Sequence, residues 1–597
     1  MSNIKTPHAA VVVYNYKVRG SLKDLTSSQA NSVNVIKITD SITSIKTLKH
    51  KAVPSGDFSI TLAPSSNWVA RLTPGSWLSI HMAQREITED DLNNFNKETL
   101  RMIGRIDTVR VSIDVDAQTG TRNTSYTISG KDWGQALETS LFIDPMVLDQ
   151  SSDQIGQAVR LGLGVLVAGA NGQAGWSSPY TLMDRILTLW GSSDLASKQG
   201  ASVSGITQNN PQKLFPYSNL IMPTTLRDAM GASNSNLSSI LRNRLSAHSG
   251  SMRKYGKISP MAEAIGAIDA KLVIGAHPVW GILNEASNPL LSELITEISF
   301  DNDNAALPTL YRRIKPFNVT ADPNKTWYGS YFNITRTKIP ADDVIRIETG
   351  TNWRDSYNFA TVIPDTSLLT GQDALQVSQA VMRVKGGIIN NNHQISREGL
   401  RPFIASTRFV PLMKGAQPKD STSVAAQTAI NSSGGPVANL PELTATAAKE
   451  LGNAKTYDKN QINIEGLVEW SKLISQWYFN TQNMLNGTIS FMGQSDYIAA
   501  GNNIHIDATL LGDTAYIEPQ IDNKTTQALL HIESVQHRFT YSPQAGRSFV
   551  TDIAFVRGVF TDDKCTKLFS TSEFAVEIDN SEISDPLDEN LANVYKS

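Results

Sequence analysis

Thr108-Val-Arg-Val-Ser-Ile-Asp-Val-Asp116 alternates apolar and polar residues one by one. A period of two sends successive side chains to opposite faces of a β-strand, so Val109, Val111, Ile113 and Val115 are expected to share a buried face. Arg110, Ser112 and Asp114 would then share a wet one. Upstream, Phe58, Ile60 and Leu62 alternate with Ser59 and Thr61 until Pro64 closes the run. Pro74-Gly75 is turn chemistry, and Trp77 to Met82 resumes as a strand. The first 130 residues therefore read as a β domain.

The residues just before Val109 have a counterpart far along the chain. Gly104-Arg-Ile106-Asp107-Thr108-Val109 corresponds to Leu530-His-Ile532-Glu533-Ser534-Val535. Phe58 to Leu62 precedes Gly75-Ser-Trp-Leu78-Ser-Ile80, as Ile489-Ser-Phe491 precedes Gly501-Asn-Asn-Ile504-His-Ile506. Tyr126-Thr-Ile128-Ser-Gly130-Lys131 corresponds to Ala554-Phe-Val556-Arg-Gly558-Val559. The offset is 426 for Gly75 and Gly501 and for Ile106 and Ile532, and 428 for Gly130 and Gly558. Strand–glycine–strand patterns are common singly, but several in one order at a near-constant offset predict two copies of one β unit. A barrel made twice would close most of its edges or offer the remainder to a neighbour.

Between these regions the period changes. Asp132 to Leu141, Asp153 to Val167, Tyr180 to Trp190 and Thr224 to Ala247 read as helices, with Asp153 a suitable N-cap. Glycine-, serine- and asparagine-rich connections such as Gly169 to Ser178 and Ser202 to Asn210 separate them. Strands are expected at Thr309 to Ile314 and Ile345 to Thr349. Leu467, Trp470, Leu473, Ile474, Trp477 and Tyr478 recur at helical spacing and must pack on something. Phe549, Thr551, Ile553 and Phe555 alternate with Val550, Asp552, Ala554 and Val556, which reads as a sandwiched strand.

The bulk numbers bound the function. At 597 residues the chain holds several domains. A formal charge of −3 gives no overall electrostatic footprint for nucleic acid. Cys565 is the single cysteine, so neither an intrachain disulfide nor a cysteine-pair metal site can form. Met1 to Ala10 lacks a signal-type apolar core, and Leu161 to Ala170 is too short and glycine-rich to span a bilayer. No membrane anchor is expected.

Motifs for chemistry are weak. His531, Glu533 and His537, joined by His505 and Asp507, could be drawn as metal ligands, but read as polar residues on an outer strand face. Asp301-Asn-Asp303-Asn304 starts like a calcium loop, yet Ala306 replaces its glycine and Arg312 its last glutamate. Gly130-Lys131 runs into Asp132 without the upstream glycine of a phosphate loop, and Gly162-Leu-Gly164 has Val167 where a dinucleotide loop needs glycine. Glu263, or Glu293 with Glu297, could serve a glycoside hydrolase needing two spaced acids; a solvated helix face explains them more simply. Arg242, Arg244, His248, Arg253, Lys254 and Lys257 form a basic cluster best read as solvated surface. No catalytic, cofactor or metal site is expected, and no enzyme activity.

The segments quoted above, with Met102-Ile-Gly-Arg-Ile-Asp107, Ile128-Ser-Gly-Lys-Asp-Trp-Gly-Gln-Ala-Leu137, Leu307-Pro-Thr-Leu-Tyr-Arg-Arg-Ile-Lys-Pro-Phe317, Gly399-Leu-Arg-Pro402 and Met484-Leu-Asn-Gly-Thr-Ile-Ser490, resemble the baseplate hub protein family of contractile-tailed bacteriophages, with Mu-like and T4-like tail hubs. Glu398 departs from the aromatic expected before the Gly-Leu-Arg-Pro run. The resemblance spans roughly residues 55–140, 290–410 and 465–560. It implies two duplicated tube-like β-barrels in a β-rich α+β chain; with the residue patterning, 1–142 reads as the first, 143–287 as a mostly helical insertion outside the resemblance, and 288–412 as a mixed α/β segment contributing to the second barrel and a connecting domain. Then follow 413–460 as an extended or flexible loop, 461–483 as an amphipathic helix, 484–560 as the second barrel and 561–597 as an acidic tail.

It further implies a homotrimer in the virion tail baseplate, assembled in the host bacterial cytoplasm. The tail tube or tube-initiator protein would lie above, the spike protein below and wedge proteins around it. Genomic DNA would pass through without specific binding. The alternatives are a peptidoglycan hydrolase acting in cell-wall penetration, or a tail-tip protein of a bacteriocin-like particle.

Overall fold

The computed structural model describes residues 6–16, 33–115, 120, 122–143, 176–177, 222–232, 236–245, 264–267, 276–300, 305–315, 334–352, 354, 356–364, 388–407, 409–411, 484–494, 496–511, 520–521, 524–525, 527–561 and 583–584, with single positions at 183, 186, 187 and 190 and between 467 and 479. The helix expected at Asp153–Val167, the loop at 413–460 and most of the acidic tail lie outside these residues, as do Glu263 and the Asp301–Asn304 loop.

One large sheet organises the chain. Its first part holds β1 (His8–Tyr16), β2 (Val33–Ile38), β3 (Ile42–His50), β4 (Asp57–Leu62), β5 (Trp77–Ala83), β6 (Leu100–Val115) and β7 (Arg122–Asp132). Short strands β8 (Leu141–Ile143) and β11 (Ala276–Pro278) pair together, as do β9 (Trp176–Ser177), β10 (Ala264–Ala267) and β19 (Phe409–Pro411). β12 (Ser292–Phe300) and β13 (Ala306–Ile314) form a hairpin. β14 (Arg336–Lys338) and β15 (Val344–Thr351) return to the large sheet. β16 (Phe359–Pro364), β17 (Ile388–Asn391) and β18 (Pro402–Thr407) make a separate sheet. The second part of the large sheet adds β20 (Leu485–Met492), β21 (Asn503–Asp507), β24 (Gln527–Ser542) and β25 (Gly546–Thr561), with β22 (Gln520–Ile521) and β23 (Lys524–Thr525) pairing each other before β24. Inside the acidic tail, β26 (Ile583–Ser584) pairs with β17.

The order of the large sheet carries the main observation. The first half runs β5-β6-β7-β4-β3 and the second β21-β24-β25-β20-β15, with every neighbour antiparallel. Registers agree as well. Trp77 faces Arg105 and Asn503 faces His531, both displaced by 426. Gly75 and Gly501 have φ of 87° and 88°, and each donates its N–H to the carbonyl of the matching isoleucine, Ile106 at 2.7 Å and Ile532 at 2.8 Å. The same left-handed turn that only glycine adopts freely enters the same strand twice.

Bulges repeat too. Pairing skips Asp107 between Ile106 and Thr108, and skips Glu533 between Ile532 and Ser534. It skips Thr43 between Ile42 and Ser44, and Ile345 between Val344 and Arg346. One match from the sequence needs correcting. Gly130 faces Ile106 while Phe555 faces Ile532, so Gly130 corresponds to Phe555 and not to Gly558. The reason is local: β24 and β25 carry an extra irregularity between Leu529 and His531, and Arg557 has φ 55°. At this position the halves exchange roles. Phe58 faces Gly130, and Gly487 faces Phe555, so each half pairs one phenylalanine with one glycine. A Cβ on Gly130 would lie 2.7 Å from Phe58 Cζ, so the ring uses the space that glycine leaves.

Among the described residues the strands form one continuous sheet joined by β24 pairing with β3, and no closed barrel is found. One further expectation is corrected. The alternating face of β6 is not buried: Val111, Ile113 and Val115 are 46 %, 45 % and 63 % exposed.

Apolar patterning explains the packing. Alternate residues of β1 enter different cores, Ala10, Val12 and Tyr14 on one side, Ala9, Val11 and Val13 on the other. The expected helix around Trp470 buries Leu467, Trp470 and Ile474 in the first of these, and Ser471 Oγ accepts the Val362 N–H of β16 at 3.0 Å. A third core gathers Ile489, Phe491, Ile504, Ile532, Ile553 and Phe555. β25 buries Phe549, Thr551, Ile553 and Phe555 while its other face is only half-buried, so it is not sandwiched. Asp132 to Leu141 is helical only at Gln135–Thr139, because Asp132 still pairs as the end of β7. The helix from Thr224 stops at Ala229, where Gly231 turns the chain with φ 67°, and a second helical stretch begins after Asn236, whose side chain accepts the Ser239 N–H at 2.8 Å.

Candidate functional site

Among the described residues, buried charged groups meet at the joint between the two halves. On one edge of β24, Gln527–His531 pairs with β21 and Ser534–Thr540 pairs with β3. One sixteen-residue strand thus serves two partners in line. Phe539 and Phe549 cross the joint and pack in the core of the first half.

Charges fasten the joint. Lys51 donates its backbone N–H to Glu533 O at 2.9 Å, and its ammonium lies 3.1 Å from the Glu533 carboxylate and 3.5 Å from Glu293. Glu533 can reach because it is the bulged residue. Arg313 of β13 holds Glu293 through Nε at 2.5 Å and the Gly501 carbonyl through its other arm at 2.5 Å. Lys49 contacts Asp132 at 2.6 Å, Pro54 O at 2.7 Å and Thr296 Oγ1 at 2.8 Å. The β12–β13 hairpin is thereby tied to both halves.

Protonation follows from burial and partners. Burial opposes the Glu293 charge, but Arg313 and Lys51 together with His531 hold its carboxyl well below the usual range. Burial pushes Glu297 up to about 7 against the pull of Arg313 and Lys49. Burial also raises Asp132 and lowers His531 and His537 well below an ordinary imidazole, with Lys51 and Arg101 as the respective next causes.

The sequence-nominated residues fall as follows. Glu293 and Glu297 lie on strand β12 and are largely withdrawn from water, not on a solvated helix face. The cleft that Glu297 shares with Asp132, Arg101, Tyr497 and His537 measures about 30 Å³, room for a water or two and not for a sugar ring. His531 and His537 are buried rather than on an outer face; His531 Nδ1 lies 2.8 Å from Asn503 Oδ1 and His537 Nδ1 lies 3.0 Å from Thr551 Oγ1. Among the described residues no group of three metal-type side chains converges. Arg242 is half-buried, and Arg244 reaches Ser299 Oγ at 3.3 Å; the rest of the basic cluster lies outside the described residues. Glu398 ends a helix and pairs with Arg397 at 2.5 Å. Among the described residues no helix is long and apolar enough to cross a membrane.

Sequence reading missed Lys49, Lys51 and Arg313, the cations of the joint. It also missed that β3 and β15 are equivalent. The signal was there: Ile42-Thr-Ser-Ile45 and Val344-Ile-Arg-Ile347 share spacing and bulge.

No protein-family model matches the chain, nor does any curated protein. Solved structures do. The tail protein from Neisseria meningitidis MC58 is 8 % identical with a TM-score of 0.38, over 94 % of this chain and 98 % of that one. The 43 kDa tail protein of prophage MuSo2 from Shewanella oneidensis is 9 % identical with a TM-score of 0.37, over 94 % of this chain and 100 % of that one. A Francisella PdpA-VgrG complex matches at 9 % and 0.32, over 93 % of this chain and 58 % of that one. The chain is similar to tail proteins. Likeness at TM-scores this low says nothing of what it does.

Proposed function

We propose that the chain is a structural hub of a contractile phage tail baseplate: a homotrimer whose duplicated tube-like units form a pseudo-sixfold ring between a hexameric tail tube and a trimeric spike. The single observation that carries this reading is the repeated five-strand run, alike in order, in register beside the shared glycine turn and in two bulges, and set side by side through β3 and β24. One chain then presents two equivalent units, and three chains present six. A ring of that kind matches sixfold symmetry on one face and threefold on the other. The resemblance noted in the sequence supports the same reading, since Met102–Asp107 and Ile532–Val535 fall on matching strands with matching bulges.

The DNA channel, tube and spike contacts, and the divisions at 142, 287, 412, 460, 483 and 560 belong to this proposal. The role we infer is architectural: the joint's charged groups hold strands together. Electron microscopy of the tail particle with the subunit tagged tests it. The tag should appear once per threefold position at the junction of tube and spike; a tag on fibres, or a purified chain that clears peptidoglycan in a zymogram, would overturn the assignment.

A further inference from the structure

β24 fills one edge twice, with β21 against Gln527–His531 and β3 against Ser534–Thr540. β6 is its counterpart and fills only half of that edge. Its Leu100–Arg105 pairs with β5, but Thr108–Val115 pairs with β7 on one side and with no described strand on the other. The counterpart of β3 is β15, which ends the sheet: it pairs with β20 and with no other described strand. One chain therefore carries one made joint and the two unmatched halves of a second.

Burial points the same way. His537 and Phe539, beside the made joint, are 6 % and 3 % exposed. Their counterparts Val111 and Ile113 are nearly half exposed, and Ile345 on β15 is 56 % exposed. Apolar, unpaired edges are liabilities that proteins cover. Since both edges lie on one chain and differ from each other, a second copy can cover them head to tail, and such contacts close into a ring when the rotation permits.

We propose that β15 of one copy pairs antiparallel with Thr108–Asp114 of β6 in the next copy, in the register that β3 and β24 use within one chain. This rests on the ring reading and names the contact that closes the ring. Transferring the pairs Thr540–Ser44, Phe539–Ile45 and Arg538–Lys46 puts Asp114 opposite Arg346, Ile113 opposite Ile347 and Ser112 opposite Glu348. Arg346 and Glu348 now pair with each other at 3.0 Å, both well exposed. In the joint, Arg346 gains Asp114 directly opposite, an opposite-charge cross-strand contact. Ile113 takes the place of Phe539 and enters the neighbour's second-half core beside Ile489 and Phe491, as Phe539 enters the first-half core here.

Cysteine cross-linking of the full chain, with Cys565→Ser as background, tests the register. Directly opposed strand residues lie within the ~4.4–6.8 Å Cα separation of a disulfide. A mixture of Ser112→Cys and Glu348→Cys chains should give linked dimers on mild oxidation, while either alone stays unlinked. The shifted mixture, Ser112→Cys with Arg346→Cys, should link far less. Equal linking in both mixtures overturns the register. A ring seen by sedimentation with no linking overturns the edge pairing and leaves the ring reading standing. In the double variant, a ladder ending at three chains supports both; a ladder ending elsewhere supports the pairing and overturns the trimer. Unlinked monomers at all concentrations overturn both.

Discussion

Glu297 sits on β12 in a cleft of about 30 Å³, and burial pushes its carboxyl up to about 7. Folded, it keeps a proton that the unfolded chain has released once pH passes the ordinary value of 4.5. Stability from this group is therefore full below that value and drains away as pH rises toward 7, by at most about 1.4 kcal/mol per unit. His531 and His537 act the other way, since the unfolded chain takes up their protons below 6.5 and the folded one does not. Comparing Glu297→Gln with the parent isolates the carboxylate. The melting temperature of the parent should fall relative to the variant between pH 5 and pH 8, and parallel curves would show Glu297 ionised throughout. None of this was legible in the sequence, where Glu297 read as one more solvated acid. Spacing of acids reports nothing about which strand will be buried.

At the scale of elements, the β3–β24 joint depends on the β12–β13 hairpin being tied across it. Glu293 lies between Arg313, which is 7 % exposed, and Lys51, which is 14 % exposed. Removing one partner of a buried pair leaves the other charge uncompensated, a cost of about 3–5 kcal/mol. Glu293→Ala should lower the urea midpoint accordingly, and adding Arg313→Met should recover part of the loss. A single variant that unfolds like the parent would mean that the pair is solvated.

Strand order was legible at this scale because bulges and glycine turns leave marks: Asp107 and Glu533, Gly75 and Gly501. The match of Gly130 to Gly558 failed because a three-residue irregularity between β24 and β25 shifts the frame, and glycine then trades places with phenylalanine. The helix read through Thr224–Ala247 failed at Gly231, whose positive φ outweighs good apolar spacing. The face of Val109–Val115 was read correctly as apolar and wrongly as buried. A period of two tells which residues share a face, never which chain covers it.

Across the whole molecule, one polypeptide contains two strand runs of the same build, a finished joint between them, and the two loose ends of another. That asymmetry is what a head-to-tail ring demands of its subunit and what a self-contained two-domain protein would avoid. The number of copies follows from the angle at the finished joint, which the second joint should repeat.

Electron-microscope class averages of the purified full chain, viewed down the ring axis, test this most directly. Three chains should appear as six lobes of nearly equal size around a central opening, alternating between covalently continuous and strand-paired neighbours. A stable dimer, or a ring whose lobes do not number six, would contradict the claim that three of these subunits stand in for six.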